Sequence, residues 1–144
     1  MPAKSGLQKA TRGTIYVIST CVGSLKIGRA KDAARRIRDL QSASPSRITV
    51  LAVKRSDNPE AEELRLHRHF DRFRLHGEWF EDAQEIRNWV SWRAKSDKHL
   101  ARLAQSAADT IWNKRGSRAP ANDPGFEKFL REALIDQNYR VHEI

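Results

Sequence analysis

Apolar residues along this chain change their period several times, and each change marks an element. Thr14-Ile15-Tyr16-Val17-Ile18 is a β-branched apolar run, Leu25-Lys26-Ile27-Gly28 is a shorter one, and Cys21-Val22-Gly23-Ser24 lies between them. Such runs on either side of a Gly-containing turn predict two strands paired as a hairpin. The pairing would bring Tyr16 near residues 26–29, so that a phenol and several cations converge on one small surface. Ala33, Ile37 and Leu40 then recur at helical spacing behind Asp32, a residue suited to capping a first turn. They predict a helix over 33–41 that ends at 42–45 and carries Arg36 on the flank of its apolar stripe, lying across the sheet toward Tyr16.

Residues 48–53 are almost continuously apolar, which predicts a third strand in a central position covered on both faces. Asn58 or Asp57, followed by Pro59, starts a helix over 60–70, with Ala61, Leu64 and either His67 or Arg68 at helical spacing. Its acids lie in the first turn and its bases toward the end, as the helix dipole favours. After the compact group His76-Gly77-Glu78-Trp79-Phe80, periodic residues from Ile86 to Ile111 mark helix from about 82 to 115, with a break near Ser96-Asp97. Residues 116–125, rich in Pro, Gly, Asn and Ser, read as a linker. Phe126, Phe129, Leu130 and Leu134 line one face of a last helix. The expected organisation is a flexible basic arm over 1–12, a main domain over 13–95 and a helical extension over 96–144.

Composition narrows the class of partner. The 144 residues carry a formal charge of +9, which attracts polyanions from a distance and makes nucleic acid the first candidate. No apolar stretch approaches the roughly 20 residues that cross a bilayer, and the first residues lack a signal-peptide core, so a cytoplasmic location is expected. Cys21 is the only cysteine, which leaves no internal disulfide and no cysteine-rich zinc framework. His67 and His69 are two apart on a helix, point about 200° from one another and do not chelate together.

The order Ile15-Tyr16, Lys26-Ile27-Gly28, Arg36, Glu63 four residues before His67, and Gly77-Glu78-Trp79-Phe80 resembles the GIY-YIG nuclease superfamily, in the branch shared by phage open reading frames and fungal meiotically upregulated proteins. The resemblance spans residues 13–81. It implies an α+β fold with a small three-stranded antiparallel sheet flanked by helices, and hydrolysis of DNA phosphodiester bonds that depends on Mg²⁺ or Mn²⁺. Residue by residue, it implies that Tyr16 activates or positions the attacking water, that Arg36 stabilises phosphate charge and that Glu63 is the single metal ligand. His67 joins the catalytic group one turn later on the same face, while Trp79 and Phe80 pack.

This chain departs from the family pattern twice. Thr14 stands where the name-giving glycine would be, and Lys26 stands where the second tyrosine would be. Lys26 can stabilise an anionic transition state, or serve as a base if its pKa is strongly depressed, and the electrostatic role is preferred. For the ligand role, Glu60 and Glu62 compete with Glu63 on residue type alone.

Arg29, Lys31, Arg35, Arg68, Arg72 and Arg74 are the expected DNA contacts, although for the cluster of arginines over 65–74 a solvated basic face is an equal alternative. Trp89 and Trp92 are spaced for packing rather than for stacking on bases. The leading reading is a metal-dependent DNA endonuclease. The alternative is a non-catalytic DNA-binding module with the same fold, motivated by the missing second tyrosine, and a third is an interaction protein using the helices over 82–137. One such site cuts one strand, so a homodimer through the C-terminal helices is a further expectation.

Overall fold

The computed structural model describes residues 12–20 and 23–115. Cys21, nearly all of the expected arm, the linker and the last helix with its proposed dimer contact lie outside the described residues. β1 (Gly13–Ser19) and β2 (Ser24–Ala30) form the hairpin, in a register that sets Tyr16 opposite Gly28 and Ile18 opposite Lys26. The Thr14 hydroxyl donates to the Ala30 carbonyl at 2.7 Å, tying the open end of the hairpin. Helix α1 (Ala33–Ala43) starts where the Asp32 carboxylate accepts from the Arg35 N–H, and it buries Ala33, Ile37 and Gln41. Strand β3 (Thr49–Ser56) follows. Helix α2 (Pro59–His69) is capped by Asn58 with Pro59 in its first turn, and a short 3₁₀ turn (Asp71–Phe73) leaves it.

The sheet has five antiparallel strands, in the order β3-β1-β2-β5-β4, and this corrects the expectation of three. The added strands, β4 (Arg74–His76) and β5 (Trp79–Glu81), are three residues each, too short to display an alternating period. They exist because residues 79–81 find residues 24–26 of β2 as a hydrogen-bonding partner, and Gly77, at φ 57°, turns the chain between them.

The position of β3 is also corrected, because it is an edge strand and not a central one. Its apolar run reflects an edge that is capped rather than paired. The Gln105 side chain accepts from the Val50 N–H at 2.8 Å and donates to the Ile48 carbonyl at 2.9 Å, while Ser96 and Asp97 bond the Val53 backbone. Gln105 belongs to helix α4 (Lys98–Arg115), separated from α3 (Gln84–Trp92) by a bend in which Lys95 takes φ 53°. Two apolar clusters sandwich the sheet. Ile15, Val17, Leu25 and Ile27 pack with Leu66, Phe70 and Ile86 on one face, and Tyr16 and Ile18 pack with Ala33, Ile37, Ala104 and Ala108 on the other.

Helix α2 turns a different face inward from the one its aliphatic spacing predicts. Ala61, Leu64 and Arg68 are exposed, whereas Pro59, Leu66, His67 and Phe70 are buried and Glu63 is mostly covered. Trp89 packs edge-on against Phe70 at 5.9 Å, but Trp92 is 82% exposed and packs in no core.

Candidate active site

Strand β5 stops opposite Lys26, so among the described residues the outer edge of β2 has no strand beside it from Ile27 onward. Side chains and a turn fill this gap. The Ile27 N–H donates to the Glu78 carbonyl at 3.0 Å, and the His67 Nε2 lies 2.8 Å from the Ile27 carbonyl. A carbonyl only accepts, so Nε2 carries the proton, which fixes the ring of His67 as a clamp between α2 and β2. The His67 ring also packs at a tilt against Phe80, with centroids 5.2 Å apart.

Next along β2 is Gly28. A Cβ at this position would stand 2.5 Å from the Tyr16 phenol oxygen and 3.0 Å from Glu78 Oε1. Glycine inside a strand marks a close approach, and here it lets the tyrosine ring lie over the neighbouring backbone. Tyr16 is 1% exposed. Burial pushes its hydroxyl up to about 12, against a lowering by the Arg36 guanidinium that hydrogen-bonds it, so the phenol is neutral at physiological pH.

Charged groups surround this point. The Lys26 ammonium is 3.1 Å from Glu78 Oε1 and 5.3 Å from the centre of the Trp79 ring, with its side chain 10% exposed. Arg29 reaches Glu60 at 3.1 Å and Glu63 at 3.6 Å. The Glu63 carboxyl is raised above the usual carboxylate range, first by desolvation and then by repulsion from Glu78. Its Oε2 is buried without a hydrogen-bond partner among the described residues.

Tyr16, Lys26, Arg29, Arg36, Glu63 and His67 therefore belong to one neighbourhood at the β2 edge. Of the competing carboxylates, Glu62 pairs instead with Lys54, and Glu60 lies on the rim. Lys31, Arg35 and Arg68 are exposed with no ion pair among the described residues, whereas Arg72 pairs with Glu85 and Arg74 with Asp71. Two residues here carried no role in the sequence reading. Gly28 was signalled by its place inside an apolar strand, and Glu78 by being the one carboxylate in the turn before Trp79-Phe80.

The described residues contain no group of three or more His, Cys, Asp or Glu placed to hold a metal, and no helix long and apolar enough to cross a membrane. No curated protein and no solved structure matches the chain. The T5orf172 domain matches residues 13–94, from the first residue of β1 to just past α3, which is more than half of the sequence and contains every residue of the neighbourhood described above. The chain belongs to the T5orf172 domain family.

Proposed function

We propose that this protein is a GIY-YIG-type endonuclease that hydrolyses DNA phosphodiester bonds with the help of a divalent cation. A T5orf172 domain fits a nuclease or DNA-binding role at the coarser level, and the excess of cations fits a polyanionic partner. The observation that carries the reading is the meeting of a neutral phenol, two cations and a half-bare buried carboxylate at one break in the sheet.

The donor set fits a hard cation held by a single side chain. Glu63 offers an unpartnered oxygen, and the Nε2 of His67 is already spent on Ile27. Mg²⁺ keeps most of its waters and accepts one carboxylate plus substrate phosphate, so Glu63 would hold it. When bound, Mg²⁺ or Mn²⁺ would supply positive charge to the phosphate and the leaving oxygen.

The chain's own groups supply the rest. The Tyr16 hydroxyl, fixed by Arg36 and the Gly28 backbone, orients the attacking water. Arg36 and Lys26 face the negative charge that develops on phosphorus, in a partly dry setting where such charges count for more than in water. Lys26 replaces a phenol by a cation, which suits this electrostatic role.

The test is to incubate wild type, Tyr16→Phe and Glu63→Gln with supercoiled plasmid and a labelled branched duplex in Mg²⁺, Mn²⁺ or EDTA. Nicking by wild type alone, dependent on metal, is the expected outcome. Salt-sensitive DNA binding without any cut would instead make the protein a non-catalytic DNA-binding module, the reading that the absent second tyrosine favours.

A further inference from the structure

We infer that Glu78 is the proton acceptor of this site, taking through the Tyr16 hydroxyl the proton that the attacking water gives up. The inference rests on the nuclease reading above and adds a residue to it.

The first observation is positional. The Tyr16 oxygen and Glu78 Oε1 both lie within 3.0 Å of the point where a Gly28 Cβ would stand. Phenol and carboxylate thus flank one spot above the backbone, close enough for a single water to join them.

The second observation is elimination among the charged and titratable groups around that spot. Arg36 on α1 and Lys26 and Arg29 on β2 are basic side chains, suited to facing phosphate rather than to taking a proton from water. His67 on α2 is fixed as a clamp, with Nε2 on the Ile27 carbonyl and its ring against Phe80, away from the Gly28 position, whose nearest neighbours are Tyr16 and Glu78. Glu63 on α2 faces Arg29 with one oxygen, and the other is the one that would hold a cation. Glu78, in the turn between β4 and β5, remains. Its side chain is 43% exposed, so a proton received there can pass on to solvent.

The third observation is that Glu78 is held in place. Its carbonyl accepts from the Ile27 N–H, and its carboxylate is paired with the nearly buried Lys26. A relay also suits the buried phenol, since Tyr16 need never exist as a free phenolate. In the step, the water oxygen forms a bond to phosphorus as its proton moves to the Tyr16 oxygen. The Tyr16 proton passes to the bridging water as that water gives one of its own to the Glu78 carboxylate, and the bond from phosphorus to the leaving sugar oxygen breaks. The leaving oxygen takes a proton from solvent, and Glu78 later returns its proton to solvent.

The experiment compares single-turnover plasmid nicking by full-length wild type, Glu78→Gln, Glu78→Asp, Lys26→Met and the Lys26→Met, Glu78→Gln double variant across acidic and neutral pH. DNA affinity and thermal melting are measured beside it. Loss of general-base help costs about 100-fold or more in rate. We expect that loss for Glu78→Gln in a protein that still folds and binds DNA, an altered acidic limb of the pH–rate profile, partial recovery with aspartate, and a further slowing when Glu78→Gln is added to Lys26→Met. Wild-type rates in Glu78→Gln, or a double variant no slower than Lys26→Met alone, would overturn the inference, the latter by showing that Glu78 acts only by holding Lys26. A wild type that cuts nothing in either metal would instead bring down the nuclease reading itself.

Discussion

Gly28 stands opposite Tyr16 in the β1–β2 register, and the space where its side chain would be is taken by the tyrosine's hydroxyl end. The nearest atoms to that space, at 2.5 Å, belong to the Tyr16 ring, which is buried and stiff, and Glu78 Oε1 follows at 3.0 Å. Gly28→Ala therefore has to shift the ring or part the strands. Overpacking of this kind costs about 1–3 kcal/mol. We expect a lowered melting temperature together with loss of nicking, because the phenol leaves its place beside Arg36. Calorimetry with the plasmid assay checks both, and an active, equally stable Gly28→Ala protein would show that the close approach is dispensable.

Tyr16 also leaves a signature in alkali. Its hydroxyl titrates near 10 in an unfolded chain and at about 12 in the fold, so the folded state keeps its proton longer. Stability is fully present below pH 10 and falls as pH rises through the range from 10 to about 12. Tyr16→Phe removes the titrating group, and alkaline unfolding followed by circular dichroism is expected to begin at higher pH in that variant. Coincident curves would mean that the phenol is not held as described.

The hairpin, the two helix caps at Asp32 and Asn58, and the break before α4 could be read from residue type because each is decided locally. What could not be read was decided by partners distant in sequence. Residues 79–81 become a strand only by finding residues 24–26, and the run over 48–53 sits at an edge because Gln105, Ser96 and Asp97 cap its backbone. On α2 the aliphatic stripe through Ala61 and Leu64 misled, since the helix spends part of its inward face on Glu63 and His67. Sequence logic tends to fail where function competes with packing, and the proposed role of Glu63 and His67 would make this such a place. The companion of Glu63 and Tyr16 at the site, Glu78, lies 15 residues past the one and far from the other, and only the break in the sheet brings them together.

Gln105 gives a prediction free of the proposed chemistry. Its amide satisfies both a donor and an acceptor of the β3 edge. Gln105→Ala leaves the Val50 N–H and the Ile48 carbonyl without these partners, at about 1–3 kcal/mol for each group that water cannot reach. A reduced urea midpoint with nicking retained below the transition is expected. An unchanged midpoint would show that water replaces the amide at no cost.

Glu63 is expected to trade stability for function. Desolvation and Glu78 raise its pKa, so the folded state binds this proton more tightly than the unfolded chain, and the ionised carboxylate takes stability away as pH rises above about 4.5. Glu63→Gln should accordingly melt no lower than wild type at neutral pH, and any advantage should vanish in acid, where wild-type Glu63 is protonated. The same variant is expected to lose metal-dependent nicking, and added Mg²⁺ should raise the melting temperature of wild type but not of Glu63→Gln. Scanning fluorimetry at two pH values, with and without Mg²⁺, separates these effects.

The arginines divide by how they are already spent. Arg72 and Arg74 have Glu85 and Asp71 beside them, whereas Lys31, Arg35 and Arg68 are exposed without a carboxylate partner among the described residues. A cation that must leave a carboxylate to meet a phosphate gains less from the exchange, although an exposed ion pair is worth only about 0–1 kcal/mol and can be broken. Lys31→Ala, Arg35→Ala and Arg68→Ala should each weaken DNA binding and reduce the slope of log affinity against log salt by about 1. Arg72→Ala and Arg74→Ala should do less, because the carboxylate beside each already answers part of its charge. Fluorescence anisotropy over a salt series reads both quantities. If Arg72 and Arg74 proved the stronger contacts, the DNA would have to run along the β4 side of the site, and their pairing with Glu85 and Asp71 would be what the substrate displaces.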